Sequence, residues 1–311
     1  MNSNIAASHR RGSAVFKGSL VALVTPFDSN NRVDFASLKG LIEFHVSEGT
    51  DGLVIAGTTG EAATMNRDEH TELVARSVEF VGGRLPVIAG TGSNSTRQAI
   101  NMSQCVAETG VDAFLVVVPY YNKPMQEGMF QHFTAIADAV PKPVLMYNVP
   151  GRTVADMQAE TVARLAEHDN IFGIKEATGD IDRLRQIQAL VDDKNFMLYS
   201  GDDFTALEFL KEGGHGIVTV SGNVVPAAIA RLCSLVAEGA FDEAKEIDDS
   251  LQLLNDALFV ESNPIPVKWA LNQMGLIPPH LRLPMTQIAP EHHDQMRAAL
   301  AVAGVNLENA A

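Results

Sequence analysis

Lys175 closes an otherwise apolar run, Ile171-Phe172-Gly173-Ile174-Lys175-Glu176. An ammonium at the mouth of a buried strand is costly unless it is paired or neutral. Desolvation that lowers its pKa turns the amine into a nucleophile toward a carbonyl carbon. The same run also fits a structural lysine paired with an acid such as Glu176. Tyr147 stands 28 residues earlier, in Leu145-Met146-Tyr147-Asn148. A phenol beside an amine can carry protons while an imine forms; a buried tyrosine bonded to backbone is the other reading.

Two further places are suited to anions. Gly57-Thr58-Thr59-Gly60-Glu61 offers two hydroxyls and backbone N–H groups for a carboxylate, and equally fits an ordinary capped turn. Arg152 follows a Pro-Gly turn, where a guanidinium can take a carboxylate bidentately or simply sit in solvent. Tyr120-Tyr121 fits either a site or a subunit interface. The nine histidines fall on predicted helices, in loops at the far end or in the tail, so no metal site is expected. His45 and His70 read as helix-surface or cap residues.

Something must hold these groups together. Short runs rich in valine and isoleucine occur at 20–25, 52–56, 86–90, 113–118, 144–148, 171–175, 196–200 and 216–220. Their continuous apolar character suits strands buried on both faces of a parallel sheet. Amphipathic segments separate them. Asp34 caps the first, stopped by Gly49, and Asn66 with Glu69 caps the second. Others are predicted over 96–108, 127–139, 158–167, 181–191, 204–212 and 226–238. Eight strand–helix units spaced about 20–35 residues apart argue for a (β/α)8 TIM barrel, and the first strand lacks a Gly-rich dinucleotide fingerprint.

The groups named above then fall at strand C-termini, where such barrels carry their chemistry. Alternation puts Leu145 and Tyr147 on one face, and Ile171, Gly173 and Lys175 on one face, with Gly173 leaving room below the lysine. After residue 238 only helices are predicted, over 243–259, 265–274 and 294–303. The expected organisation is a polar, disordered leader over 1–15, a barrel over 16–238 and an all-helical C-terminal domain over 239–311.

Composition narrows the class. Among 311 residues, 46% are hydrophobic and the net charge is −15, so a large core is possible and nucleic acid is an unsuitable partner. No uncharged stretch approaches the roughly 20 residues that span a bilayer. The first 15 residues lack a secretory apolar region, and Cys105 and Cys233 stand alone. A cytoplasmic enzyme without membrane association is expected.

The motifs at 57–61, 147–153 and 173–179, with Val260-Glu261-Ser262-Asn263-Pro264-Ile265-Pro266-Val267-Lys268-Trp269-Ala270 in the tail, closely resemble the dihydrodipicolinate synthase family. The likeness spans about residues 18–304. It implies a pyruvate-dependent Schiff-base enzyme of diaminopimelate and lysine biosynthesis, with no cofactor or metal. Lys175 would form an imine with pyruvate, whose carboxylate lies at Thr58-Thr59, and the enamine would attack L-aspartate-4-semialdehyde. Tyr147, Thr59 and Tyr121 match the family's proton relay, Tyr121 reaching into a neighbouring subunit's site. Arg152 matches the holder of the semialdehyde carboxylate, and Ile217 a residue whose backbone carbonyl lies near the site. A homotetramer built from tight dimers is implied.

Sister enzymes that cleave 2-keto-3-deoxygluconate or N-acetylneuraminate share the barrel and its lysine; Arg152 argues against the neuraminate enzymes. A non-catalytic scaffold would not need Lys175, Tyr147, Thr59 and Arg152 together. An allosteric L-lysine site in the family corresponds to Ala63, Arg67, His70, Asn94, Gln98 and Tyr120. Inhibited members carry histidine and glutamate where this chain has Arg67 and Gln98. An arginine repels a ligand ammonium and a glutamine withholds an attracting charge, so weak inhibition is expected.

Overall fold

The computed structural model describes residues 16–193 and 195–307. The leader expected over 1–15 lies outside the described residues. Strands β1 (Gly18–Ala22), β2 (Gly52–Ile55), β3 (Val87–Gly90), β4 (Ala113–Val117), β5 (Val144–Asn148), β6 (Ile171–Glu176), β7 (Met197–Ser200) and β8 (Gly216–Thr219) pair in chain order, all parallel, and β8 returns to β1. The fold is the (β/α)8 barrel.

Each strand is buried on both faces, as the unbroken apolar runs require. One layer fills the barrel, with Leu20, Val54, Leu145, Tyr147, Tyr199 and Val218. The other meets the helices, with Val21, Leu53, Ile55, Met146, Ile174 and Leu198. A fully buried side chain of this size contributes about 1.5–3 kcal/mol relative to exposure.

Eight units carry this ring. Helices α1 (Phe35–Ser47), α2 (Arg67–Val81), α3 (Thr96–Ala107) and α4 (Gln126–Ala139) follow the first four strands. A single turn, α5 (Pro150–Thr153), precedes α6 (Ala159–Ala166), and α7 (Ile181–Leu190), α8 (Ala206–Lys211) and α9 (Pro226–Glu238) complete the set. Asp34 accepts from the Ala36 and Ser37 amides, and Asn66 from that of Glu69, the caps read from sequence.

One register expectation fails. Pairing of β5 with β6 slips between Val144–Ile171 and Leu145–Gly173, leaving Phe172 extra. The bulge turns Ile171 outward with Ile174, while Phe172 packs on the inner layer. Gly173 and Lys175 keep the phase set by Leu145 and Tyr147. His45 and His70 are also buried, not surface residues. His45 Nδ1 lies 2.9 Å from Thr50 Oγ1, and burial lowers its pKa to about 4. His70 is hydrogen-bonded to the Gly90 backbone.

Beyond the barrel run α10 (Phe241–Leu258), α11 (Ile265–Gln273) and α12 (His293–Val302), the C-terminal helical part. Helix α10 packs on α9 and α12. Among the described residues, no helix is long and apolar enough to cross a membrane.

Candidate active site

Lys175 and Tyr147 are register partners across β5 and β6 at the C-terminal mouth. The lysine Nζ lies 4.3 Å from the tyrosine ring centroid. Only 5% of Lys175 is exposed, and desolvation lowers its pKa to about 8, against the opposing charge of Asp203 and with help from Arg152. Glu176 is not its partner. One residue further along the strand, it faces the other way and accepts from Asn148 Nδ2 at 3.1 Å and the Thr178 amide at 2.9 Å. That arrangement removes Glu176 as an ion-pair partner for the lysine.

The room for Lys175 comes from an unexpected glycine. A Cβ at Gly201, just after β7, would stand 2.6 Å from Lys175 Cε and 3.0 Å from its Cγ. Gly173, to which the sequence assigned that space, instead lets β7 approach: its Cβ would meet the Met197 carbonyl oxygen at 2.4 Å. Asp203, two residues beyond Gly201, is buried, and its Oδ2 accepts from the Val220 and Ser221 amides at 2.8 and 2.9 Å.

Burial raises the Tyr147 pKa to about 12, although the Arg152 charge and a hydrogen bond with Thr58 pull it down. The phenol therefore stays protonated near neutrality and can donate. Its threonine partner is Thr58, not Thr59. Neighbouring residues of the turn point different ways, and Thr59 Oγ1 instead accepts from Asn263 Nδ2 at 2.9 Å. Thr58, Tyr147, Arg152 and Asn263 line one cavity of about 670 Å³.

Arg152 sits on α5, a helical turn where the sequence suggested a simple loop. Proline at its first position suits a helix start. Its Nη2 donates to the Asn263 backbone carbonyl at 3.4 Å. Tyr121 is not brought to these groups within one chain: it is 86% exposed, at φ 75°. The Ile217 side chain points to the outer layer, and Val218 is the inward residue of β8. Strand alternation assigns the two to opposite faces.

Ala63, Arg67, His70, Gln98 and Tyr120 lie along the same cavity wall. Asn94 is tied in differently, its carbonyl accepting from Asn122 Nδ2 at 2.8 Å. Gln98 Oε1 accepts from Ser93 Oγ at 3.0 Å. Among the described residues, no three His, Cys, Asp or Glu side chains form a metal-ligand group.

The tail reaches the site through charge as well. Lys268 Nζ on α11 lies 2.5 Å from Glu61 Oε1, and both side chains are almost wholly buried. The Arg282 amide donates to Glu61 Oε2 at 3.1 Å, and the Arg282 guanidinium pairs with Glu69.

The family model described as Dihydrodipicolinate synthetase family matches residues 15–303. The chain belongs to the dihydrodipicolinate synthetase family. A 4-hydroxy-tetrahydrodipicolinate synthase of Thioalkalivibrio sulfidiphilus is 53% identical over 293 residues, 94% of this chain and 99% of the relative. The enzyme of that name from Pseudomonas aeruginosa is 52% identical over 93% of this chain and 98% of its own. The crystal structure of the chloride-inhibited dihydrodipicolinate synthase of Acinetobacter baumannii, complexed with pyruvate, is 46% identical. It superposes with a TM-score of 0.91, covering 93% of this chain and 99% of that one. Membership of the dihydrodipicolinate synthetase family supports a lyase-type synthase of lysine and diaminopimelate biosynthesis acting on small molecules. It does so over a sugar-acid aldolase or a scaffold.

Proposed function

We propose that this chain condenses pyruvate with L-aspartate-4-semialdehyde through an imine on Lys175, giving 4-hydroxy-tetrahydrodipicolinate. The neutral Lys175 amine attacks the ketone carbon of pyruvate, and water leaves as the imine forms. Loss of a methyl proton gives an enamine, whose carbon attacks the semialdehyde carbonyl. The substrate's own amine then adds to the imine carbon, closing the ring and releasing Lys175. No cofactor takes part.

The Thr58–Thr59 turn holds the pyruvate carboxylate, and Arg152 holds that of the semialdehyde. Tyr147, protonated and bonded to Thr58, moves protons at the carbinolamine oxygen and nitrogen as water leaves. Tyr121 completes the relay from a neighbouring copy, in a homotetramer of two tight dimers; its exposed ring fits that role. The reading is of a cytoplasmic enzyme.

The carrying observation is the buried Lys175 amine beside the Tyr147 phenol. Borohydride with pyruvate should add roughly 72 daltons to Lys175, the mass of a reduced imine adduct. A Lys175→Ala chain should keep its fold and gain nothing. A coupled assay should show turnover with the semialdehyde and none with 2-keto-3-deoxygluconate or N-acetylneuraminate. Modification elsewhere would displace Lys175 from the mechanism.

A further inference from the structure

We propose that Asn263, in the loop leading into α11, is a positioning residue that sets the Thr58–Thr59 turn for the keto-acid carboxylate. The inference rests on the imine reading above. Asn263 is 5% exposed and lines the cavity, yet it lies 204 residues from the threonine it holds. Its Nδ2 donates to Thr59 Oγ1 at 2.9 Å, while its backbone carbonyl accepts from Arg152 Nη2 at 3.4 Å. One residue of the helical tail thus touches both places assigned to carboxylates.

The bond to Thr59 has a particular consequence. It occupies a lone pair of the hydroxyl and fixes that side chain, leaving the O–H free to donate. A fixed Thr59 also fixes the peptide it shares with Thr58, and so the Thr58 hydroxyl against Tyr147. Two residues beyond Thr59, Lys268 Nζ and the Arg282 amide grip the Glu61 carboxylate. The Glu61 backbone has φ 56°, a left-handed conformation unfavourable for a side-chain-bearing residue unless its surroundings hold it. The turn is therefore pinned at two points by one segment, and only the Asn263 pin touches the threonines.

Steady-state kinetics on the full-length enzyme test this. Asn263→Ala should raise the KM for pyruvate roughly five- to tenfold, the loss expected from one hydrogen bond. The KM for the semialdehyde should change less, because the carbonyl contact to Arg152 is backbone and survives. The value of kcat should fall less than the pyruvate KM rises, whereas a general loosening of the fold would move all three together. Thr59→Val removes the same bond from the other side and keeps the test open if Asn263→Ala does not fold. Thr59→Ser, which retains the acceptor, should restore the pyruvate KM. The double variant should be no worse than the more affected single one. Additive losses, or an unchanged pyruvate KM in folded Asn263→Ala, overturn the inference while borohydride trapping of Lys175 in the parent stands. Absence of that trapping overturns the imine reading and this inference with it.

Discussion

Lys175 and Tyr147 face each other as register partners on adjacent strands, the amine nitrogen 4.3 Å from the phenol ring centroid. Burial acts on both and in opposite senses: it lowers the lysine pKa to about 8 and raises the tyrosine pKa to about 12. Each shift favours the uncharged form: near neutrality a minor but usable fraction of Lys175 is free amine able to attack, and the Tyr147 hydroxyl is protonated and able to donate. Imine formation needs that combination.

The lysine pKa gives a pH dependence with a definite sign. Below pH 8 the reactive amine is a minority, about a tenth at pH 7 for a group titrating at about 8. The borohydride trapping rate at subsaturating pyruvate should rise about tenfold from pH 6 to 7, about fivefold from pH 7 to 8, and level off above that. Stability follows the same group. The unfolded chain binds the proton up to the ordinary lysine pKa of about 10.4, so the folded state pays its full penalty below pH 8 and is relieved as pH rises between the two values. Lys175→Met should abolish trapping yet raise stability at pH 7, by up to roughly 3 kcal/mol, measured by urea unfolding. A trapping profile flat from pH 6 to 9 would contradict the lowered pKa.

Tyr147→Phe removes a proton carrier and little volume. It should lower kcat by about 10²-fold or more while pyruvate still traps on Lys175. Thr58→Val, which deletes the tyrosine's hydrogen-bond partner, should lower kcat in the same direction. Thr59→Val should instead show mainly in the pyruvate KM. Stopped-flow and steady-state measurements on the three variants separate these effects. A Thr59→Val enzyme with the larger kcat loss would return the relay to Thr59.

Much of this was legible in the chain. Eight apolar runs alternating with capped amphipathic helices specify the barrel, because doubly buried strands cannot tolerate polar residues except at their ends. The same rule exposed Lys175, Tyr147 and Arg152. What resisted reading was set at finer scale or longer range. Thr58 and Thr59 are chemically identical, and only the turn's backbone decides which one meets Tyr147. The bulge at Phe172 leaves the inward phase of Lys175 intact while reversing Ile171, which no count in steps of two could reveal. The Lys268–Glu61 contact joins residues 207 apart, and no local pattern encodes it.

L-lysine should inhibit weakly. Arg67 lines the wall with His70 and Tyr120; its guanidinium, although it meets Asp68 at 3.2 Å, would repel a ligand ammonium bound there, and Gln98 supplies no charge to offset the repulsion. Half-inhibition is expected only above about 1 mM, an interaction of about 4 kcal/mol. Arg67→His combined with Gln98→Glu should tighten inhibition in the same assay. Submillimolar inhibition of the unmodified chain would show that Arg67 swings clear.

Lys268 and Glu61 form the last prediction, one about stability. Both side chains are nearly inaccessible, and the lysine pKa is lowered by burial despite the attraction of Glu61. The flanking Phe27 ring lies 4.4 Å from Lys268 Nζ and 4.1 Å from the Arg282 guanidinium carbon, adding a cation–π component at each. A buried pair is weak evidence for net stabilisation, but removing one partner strands the other charge. Lys268→Met should therefore destabilise the fold by about 3–5 kcal/mol in urea unfolding. Adding Glu61→Gln should recover much of that loss, because a neutral amide oxygen can still accept from the Arg282 amide without a charge left unpaired. If the double variant loses as much as the two single losses summed, the contact acts through packing of the α11 segment rather than through its charges.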